Sequence, residues 1–410
     1  MQILNGKRIV LGVCGSIAAY KVAELARNLT LGGAIVDVVL TESAERFVGT
    51  ATFQALTGRP VLTDMWALPE DSVVGHVALG VNADLIVIAP ATANTLARLA
   101  AGMCDDLLTT TVLATTAPIL CAPAMNVHMY AAAATQHNIA TLRGRGFTVL
   151  EPAEGRMAEP MVGKGRLPEP AIIEGEIRAL LGRTHGPLRG KKVVVTAGGT
   201  REPIDPIRYL SNRSSGQMGY ALAAAARDAG AHVTLISTPV TLEAPAAMEL
   251  VRVETAIQMR DAVQAACTGA DLLVMNAAVA DFRPAEVADQ KIKKQGHAEG
   301  MTLNLVPNPD ILGELAQRDD LFKVGFAAET QDLQHHAEGK LQRKRLDMIV
   351  ANNATETMSQ NDIEVTILTR NNDVIMMPRQ SKEAAAVAIL QTIIERLPRL
   401  PADRGAGHTE

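Results

Sequence analysis

Aromatic residues make up only 3% of this 410-residue chain, with a single tryptophan. That scarcity argues against binding single-stranded nucleic acid, where aromatic rings serve as stacking platforms. Excess positive charge is missing too. The formal net charge is −5, without the electrostatic footprint of a DNA binder, so no nucleic-acid partner is expected. Cysteine is sparse: Cys14, Cys104, Cys121 and Cys267 stand apart, with no CxxC pair. That spacing suits neither a disulfide framework nor a zinc site, and it fits a reducing compartment. No uninterrupted apolar run is long enough to span a bilayer. The first apolar stretch is cut by Gly12 and Gly15 and meets Lys21 early, so it does not read as a signal peptide. A soluble cytoplasmic protein with no membrane partner is expected.

A dinucleotide fingerprint is also missing. The turn Gly12-Val-Cys-Gly15-Ser16 follows the strand candidate Arg8–Val13, but it is not GxGxxG. Thr41, rather than an acidic residue, ends the next strand candidate, Ala34–Leu40. A nicotinamide oxidoreductase is therefore disfavoured. What the chain does have is 48% hydrophobic and 20% charged residues, enough for ordinary cores in two or three domains. The helix candidate Ile17–Leu29 between the two strands makes a β–turn–α–β unit, which implies a parallel sheet with right-handed crossovers. Asp84–Ala89 and Ile119–Ala122 are further strands. Gly15, Ser16, Thr41, Thr92–Thr95 (with Ala93 and Asn94) and Asn126 all fall just past strand ends, where doubly wound sheets bind ligands. Ser16 and Thr41 suit a single terminal phosphate, as in FMN; plain connectivity is the other reading. His76 is expected just before a strand, as a base or as a hydrogen-bonded structural residue. The stretch Glu154–Glu169, rich in glycine and proline, reads as a mobile loop, either a surface excursion or a flap. Glu174–Leu181 looks helical, and residues 182–190 read as a linker.

The second half is organised around residues 191–220. Val193–Thr196 reads as a buried strand ending in Gly198-Gly199. A polar loop with Arg201, Glu202, Asp205 and Arg208 follows, and Ser214-Ser215-Gly216 opens an alanine-rich helix. Helix starts leave backbone N–H groups pointing outward, which cradle phosphate. The loop is too long and polar for a mere connector, and the ensemble suits a nucleoside triphosphate. Asp271–Met275 and Val324–Ala327 are further strands. Lys291-Ile-Lys293-Lys294 is either a solvated face or a cation source for that triphosphate. Lys340 and Lys344 share one helix face. Ile363–Leu368 and Asp373–Met377 read as a hairpin, Ser381 as the cap of a last helix, and residues 398–410 as a disordered tail.

Together these runs resemble one family. GSIAAYK (15–21), PATANT (90–95), PAMN (123–126), TAGGTREPIDPIR (196–208), SNRSSGQMG (211–219), AAVAD (277–281), KIKK (291–294), NPDI (308–311) and GFAAET (325–330) are its motifs. The chain is similar, over all but its tail, to bifunctional phosphopantothenoylcysteine decarboxylase/phosphopantothenate–cysteine ligases of coenzyme A synthesis. The first-half motifs are shared with wider FMN-dependent cysteine decarboxylases. The resemblance implies an α/β fold of two doubly wound, Rossmann-like parallel-sheet domains, flavoprotein-type followed by ligase-type. These would be a decarboxylase domain at 1–181, a linker at 182–190 and a ligase domain at 191–397. It implies FMN on Gly15, Ser16, Thr41 and Thr92–Thr95, a catalytic His76, and Asn126 on the substrate carboxylate. For the ligase it implies CTP, 4′-phosphopantothenate and cysteine as substrates, with Mg2+. Lys291 would bind CTP and aid catalysis, and Asn212 and Arg208 would handle an acyl-cytidylate. Asp281, Pro309, Asp310, Ile311, Leu312, Phe326, Lys340 and Lys344 would also contact CTP. Ser214, Ser215 and Gly216 are our own addition for phosphate. A homo-oligomer is implied as well.

One motif departs from the family. Gly163-x-Gly165-Arg166 is intact, but the flap cysteine that supplies a proton is replaced by Glu159, beside Pro160. Glutamate donates a proton if burial raises its pKa. Glu159 is therefore either the donor or a solvent-facing loop residue. Two other readings remain at this point. In one, the first half decarboxylates peptide cysteines; in the other, the chain is a regulatory binding protein, although such relatives carry long acidic extensions that this chain lacks.

Overall fold

The apolar runs expected as strands lie side by side in the computed structural model, which describes residues 3–66, 75–157, 160–293, 301–329, 333–353 and 361–398. The chain divides into two units, Gln2–Thr184 and His185–Glu410. Among the described residues, no helix is long and apolar enough to cross a membrane.

In the first unit, β1 (Arg8–Val13), β2 (Ile35–Leu40), β3 (Leu85–Ala91), β4 (Ile119–Pro123) and β5 (Thr148–Val149) form one sheet in the order β2-β1-β3-β4-β5. Every pairing is parallel. Both faces are covered, so the strands read as nearly continuous apolar runs rather than alternating ones. Ile9, Leu11 and Val13 pack into one core with the helix Ala19–Leu31. Val10, Ile86 and Ile88 point the other way, into a second core with Leu96 and Leu108. The strand order reverses between β1 and β3, the topological switch point where such sheets bind ligands. The helix Pro170–His185 is longer than the expected Glu174–Leu181 and enters the stretch expected as linker. The stretch expected as a mobile loop is instead an antiparallel hairpin of β6 (Ala153–Arg156) and β7 (Val162–Arg166). Its glycines erase the side-chain alternation by which a strand is recognised.

In the second unit, β8 (Lys192–Ala197) lies inside an eight-stranded sheet. A short hairpin of β9 (Arg201–Pro203) and β10 (Tyr209–Ser211) follows it. The sheet continues with β11 (His232–Ser237), β12 (Glu249–Arg252) and β13 (Leu272–Met275). A second hairpin, β14 (Phe282–Pro284) with β15 (Leu305–Pro307), precedes β16 (Phe322–Glu329) and β17 (Met348–Asn353). Strands β18 (Asp362–Thr369) and β19 (Val374–Ser381) complete the order β12-β11-β8-β13-β16-β17-β18-β19. The sheet is parallel as far as β17; β18 and β19, the expected late hairpin, are added antiparallel. Val193 and Val195 enter one core and Val194 the other, as the two-residue period of a strand requires.

Candidate active sites

In the first unit the expected residues lie at one rim. Gly15 and Ser16 follow β1, Thr41 follows β2, Thr92 to Thr95 follow β3 and Asn126 follows β4. A Cβ built on Gly15 would come within 2.4 Å of the Ser43 Cβ, so the turns after β1 and β2 meet backbone to side chain with no room for more. The helix after β1 starts at Ala19, and Ser16 does not cap it. The Ser16 Oγ accepts from the Ala18 N–H at 3.3 Å, and Ala18, at the cap position, makes no side-chain bond. Thr41 likewise precedes a helix, Glu42–Glu45, without a side-chain cap. Thr92 does cap its helix, Ala93–Ala101: its hydroxyl accepts from the Thr95 N–H at 3.2 Å. The Thr92 and Thr95 hydroxyls are 3.0 Å apart, and the Thr95 Oγ1 donates to the Cys14 Sγ at 3.2 Å. This chain ties the turn after β3 to the turn after β1 across the switch point. Burial pushes the Cys14 thiol up to about 11, so it stays protonated and inert.

Asn126 caps the short helix Val127–Ala131, its Oδ1 accepting from the His128 N–H at 2.9 Å. With the oxygen so used, its amide N–H groups are the part left to meet an acceptor. The hairpin is docked beside it: the Met125 N–H donates to the Gly165 carbonyl at 2.9 Å. A Cβ on Gly165 would lie 2.3 Å from the Met125 carbonyl oxygen, which accounts for the second glycine of Gly-x-Gly-Arg. His76 is half-buried and lies in the helix Gly75–Asn82, so it precedes strand β3 through a helical segment. It makes no hydrogen bond to the rim among the described residues. Glu159 lies outside the described residues.

In the second unit, turns after β8 and β13 are locked together. The Ala277 N–H donates to the Thr196 Oγ1 and the Ala280 N–H to the Thr200 Oγ1, both at 3.0 Å. The Ala278 N–H donates to the Gly198 carbonyl at 2.8 Å. The Asn212 amide donates to the Ala278 and Val279 carbonyls at 3.3 and 3.4 Å. Above these turns opens a cavity of about 600 Å³. It gathers Asn212, Ser214, Ser215 and Gly216 from the turn before one helix, and Asp281 from the turn after β13. Pro309, Asp310, Ile311 and Leu312 line it from the turn after β15, with Phe326 of β16, Lys340 and Lys344. Burial alone would raise the Asp310 carboxyl. A hydrogen bond from the Lys344 Nζ at 2.8 Å and one from the Gly313 N–H at 3.1 Å outweigh that and hold it low. Gly216 takes the cap position of the helix Gln217–Asp228 at φ 77°, without a side-chain bond of its own, and the Ser215 Oγ accepts a long bond from the Gln217 N–H at 3.5 Å.

Two expected residues do not line the cavity. Arg208 donates from Nε to the Asp205 carboxylate at 2.9 Å, and from Nη2 both to that carboxylate and to the Ile292 carbonyl at 2.9 Å. Asp205 also accepts from the backbone N–H groups of Ile207, Arg208 and Ile292 at 2.9, 2.8 and 3.2 Å. Arg208 above all, with those N–H groups, holds the Asp205 carboxyl well below the usual carboxylate range. Asp205 and Arg208 therefore clasp the backbone beside Lys291, whose own side chain is exposed. Gln217 and Lys382 line the cavity although nothing in their local sequence singles them out.

The family described as Flavoprotein matches residues 2–182, and the DNA/pantothenate metabolism flavoprotein C-terminal domain matches residues 188–397. The coenzyme A biosynthesis bifunctional protein CoaBC of Bacillus subtilis (strain 168) is 47% identical over 398 residues, covering 95% of this chain and 97% of that protein. The protein of that name from Vibrio vulnificus (strain YJ016) is 45% identical over 398 residues, covering 96% and 98%. A crystal structure of the C-terminal domain of a CoaBC protein is 38% identical, covers 52% of this chain and 98% of that one, and has a TM-score of 0.45. With a flavoprotein unit first and a pantothenate-metabolism domain second, the chain belongs to the family of bifunctional coenzyme A biosynthesis proteins.

Proposed function

We propose that this is a cytoplasmic enzyme that ligates 4′-phosphopantothenate to cysteine at the expense of CTP in residues 191–397. It then decarboxylates the product to 4′-phosphopantetheine in residues 1–181. In the ligase reaction the pantothenate carboxylate attacks the α-phosphorus of CTP, the bond to pyrophosphate breaks, and an acyl-cytidylate forms. The amine of cysteine then attacks the acyl carbon, CMP leaves with the bonding pair, and the amine loses a proton. Both steps need positive charge and oriented donors around the phosphates. The observation that carries this reading is the 600 Å³ cavity, which draws the family's nucleotide residues from separate stretches of chain into one place. Lys291 would neutralise the phosphates from the loop that Asp205 and Arg208 clasp, and Asn212 would orient the acyl-cytidylate. No three His, Cys, Asp or Glu side chains converge as a metal site among the described residues. Mg2+ would be held mainly by the triphosphate, with at most one or two protein carboxylates, the mode it prefers.

The rim of the first unit fits FMN. Gly15 leaves backbone where a side chain would collide, and two helix starts there lack side-chain caps. Ser16 and Thr41 would hold its phosphate, with Thr92 to Thr95 along the flavin. FMN, when bound, supplies the electron sink without which an α-amino acid end cannot lose CO₂. The Asn126 amide N–H groups would grip the departing carboxylate, His76 would exchange a proton with the substrate, and the hairpin would exclude water. Exposed Ile207, Tyr209, Phe282 and Leu305 on the two hairpins of the second unit favour a homo-oligomer. Purified protein should be yellow and should release pyrophosphate from CTP only when 4′-phosphopantothenate is present. A colourless protein inert toward every nucleoside triphosphate would refute the proposal.

A further inference from the structure

The cavity of the second unit contains a cation that none of its motifs announces. Lys382 is only 7% exposed, yet it lines the cavity. It is the first residue of the helix Lys382–Arg396, where the Ser381 hydroxyl accepts from the Ala384 N–H at 3.2 Å. Strand β19 is antiparallel to β18, which is antiparallel to β17. It therefore ends at the same edge of the sheet as β17 and β8, and its helix starts at that edge. There the Lys382 Nζ donates to the Gln217 Oε1 at 3.2 Å. Gln217 is the first residue of its own helix, behind the uncapped Gly216. Two helix starts and a buried ammonium meet at one corner, and each favours negative charge.

Comparison with Lys323, the other deeply buried lysine among the described residues, shows what is unusual. Lys323 donates to three carbonyl oxygens and is satisfied inside the protein. Lys382 has the same three donors, and among the described residues only one amide oxygen meets them. Burial holds its pKa below the ordinary lysine value, and the neighbouring Glu383 offsets this only in part. A side chain needed for packing alone would be better served by methionine or leucine, because a buried cation without a counter-charge is unfavourable.

We infer that Lys382 is a phosphate-binding residue of the ligase site, giving its remaining N–H groups to anionic oxygens of a bound phosphate ester. The inference rests on the ligase reading above, whose substrates CTP and 4′-phosphopantothenate share that chemistry. Equilibrium titration of the full chain with CTP and Mg2+, and separately with 4′-phosphopantothenate, distinguishes the two sources. Lys382→Met should weaken one of the two ligands about 10- to 100-fold, the worth of a lost hydrogen bond to a charged group. Lys382→Arg should recover part of that loss. Ligand-free Lys382→Met should melt no lower than wild type, since a buried charge has been removed. If the methionine variant does not fold, Lys382→Gln replaces it in the same titrations. A folded variant that binds both ligands as tightly as wild type overturns the inference. Wild-type protein that binds neither ligand overturns the ligase reading, and this inference with it.

Discussion

Lys323 offers a direct test of what holds the second unit together. Its side chain is fully buried, and its ammonium donates to the carbonyl oxygens of Arg318, Ala316 and Leu315 at 2.9, 3.2 and 3.4 Å. These carbonyls follow the helix Ile311–Glu314, at the end where partners run out and a cation is favoured. In Lys323→Met two effects oppose each other. Removing the ammonium relieves a charge that burial already penalises, which is why its pKa lies below the ordinary lysine value. Removing it also strands acceptors. The Leu315 oxygen keeps the Arg318 N–H at 3.0 Å and the Arg318 oxygen a long bond from Leu321 at 3.5 Å, but the Ala316 oxygen keeps no other partner among the described residues. One buried acceptor left bare costs about 1–3 kcal/mol, and a weakened second one adds to it. The acceptors win, because the ammonium is already compensated where it sits. We expect a net loss of about 2 kcal/mol, roughly a 30-fold rise in the opening equilibrium. Hydrogen exchange of β16 and β17 amides in the full chain, with increasing urea, reads this unit by itself. The pH dependence has a fixed sign. Between the lowered folded pKa and the ordinary value of 10.5 the unfolded chain binds more protons, so wild type gains stability over the variant as pH rises through that window. A methionine variant as stable as wild type would refute the argument, and would mean that the carbonyls had found other donors.

Three other outcomes are expected. Gly15→Ala would drive a methyl group into Ser43, so the purified variant should carry much less flavin, measured as visible absorbance per chain; full flavin content would show that this turn is not part of the cradle. Asp205→Asn should lower the rate of CTP-dependent pyrophosphate release about tenfold or more and weaken CTP binding with it, by loosening the loop that carries Lys291. An unaltered rate would show that the clasp is only structural. The Asp205 carboxyl is lowered in the fold, so its stabilisation is complete above the ordinary carboxylate pKa and is lost as pH falls through the folded value. The stability gap between wild type and Asp205→Asn should therefore be flat from about pH 8 to about pH 5 and close only in stronger acid. If Glu159 donates the last proton, Glu159→Gln should release the enethiol left once CO₂ has departed, in place of 4′-phosphopantetheine, detected by mass; a normal product would remove Glu159 from the mechanism.

The sheets were legible because buried strands advertise themselves locally. Val193–Thr196 and most of Asp84–Ala89 are rich in β-branched and apolar residues whatever lies around them, and they became the strands Lys192–Ala197 and Leu85–Ala91 inside their sheets. The hairpin β6–β7 was not legible, because Gly155, Gly163 and Gly165 are set by close approach to neighbouring chain rather than by their own propensity. Charged residues were the hardest to read. Arg208, expected on the substrate, is hydrogen-bonded to Asp205 and lies off the cavity, whereas Lys344, expected on CTP, lines the cavity while paired with Asp310; neither pairing is visible in the local sequence. Lys382 shows the reverse. In sequence it is a surface-type lysine beginning a terminal helix, and Gln217, which it meets, is 165 residues away. Periodicity reports which face of an element is buried, but not which two elements start at one corner of a sheet. That corner is set by the added antiparallel strands β18 and β19, which bring the last helix start back to the binding edge. A cation in a nucleotide enzyme can therefore be assigned to the ligand only after the carboxylates and carbonyls of the fold have claimed theirs. By that rule Lys323 belongs to the protein and Lys382 to the phosphate.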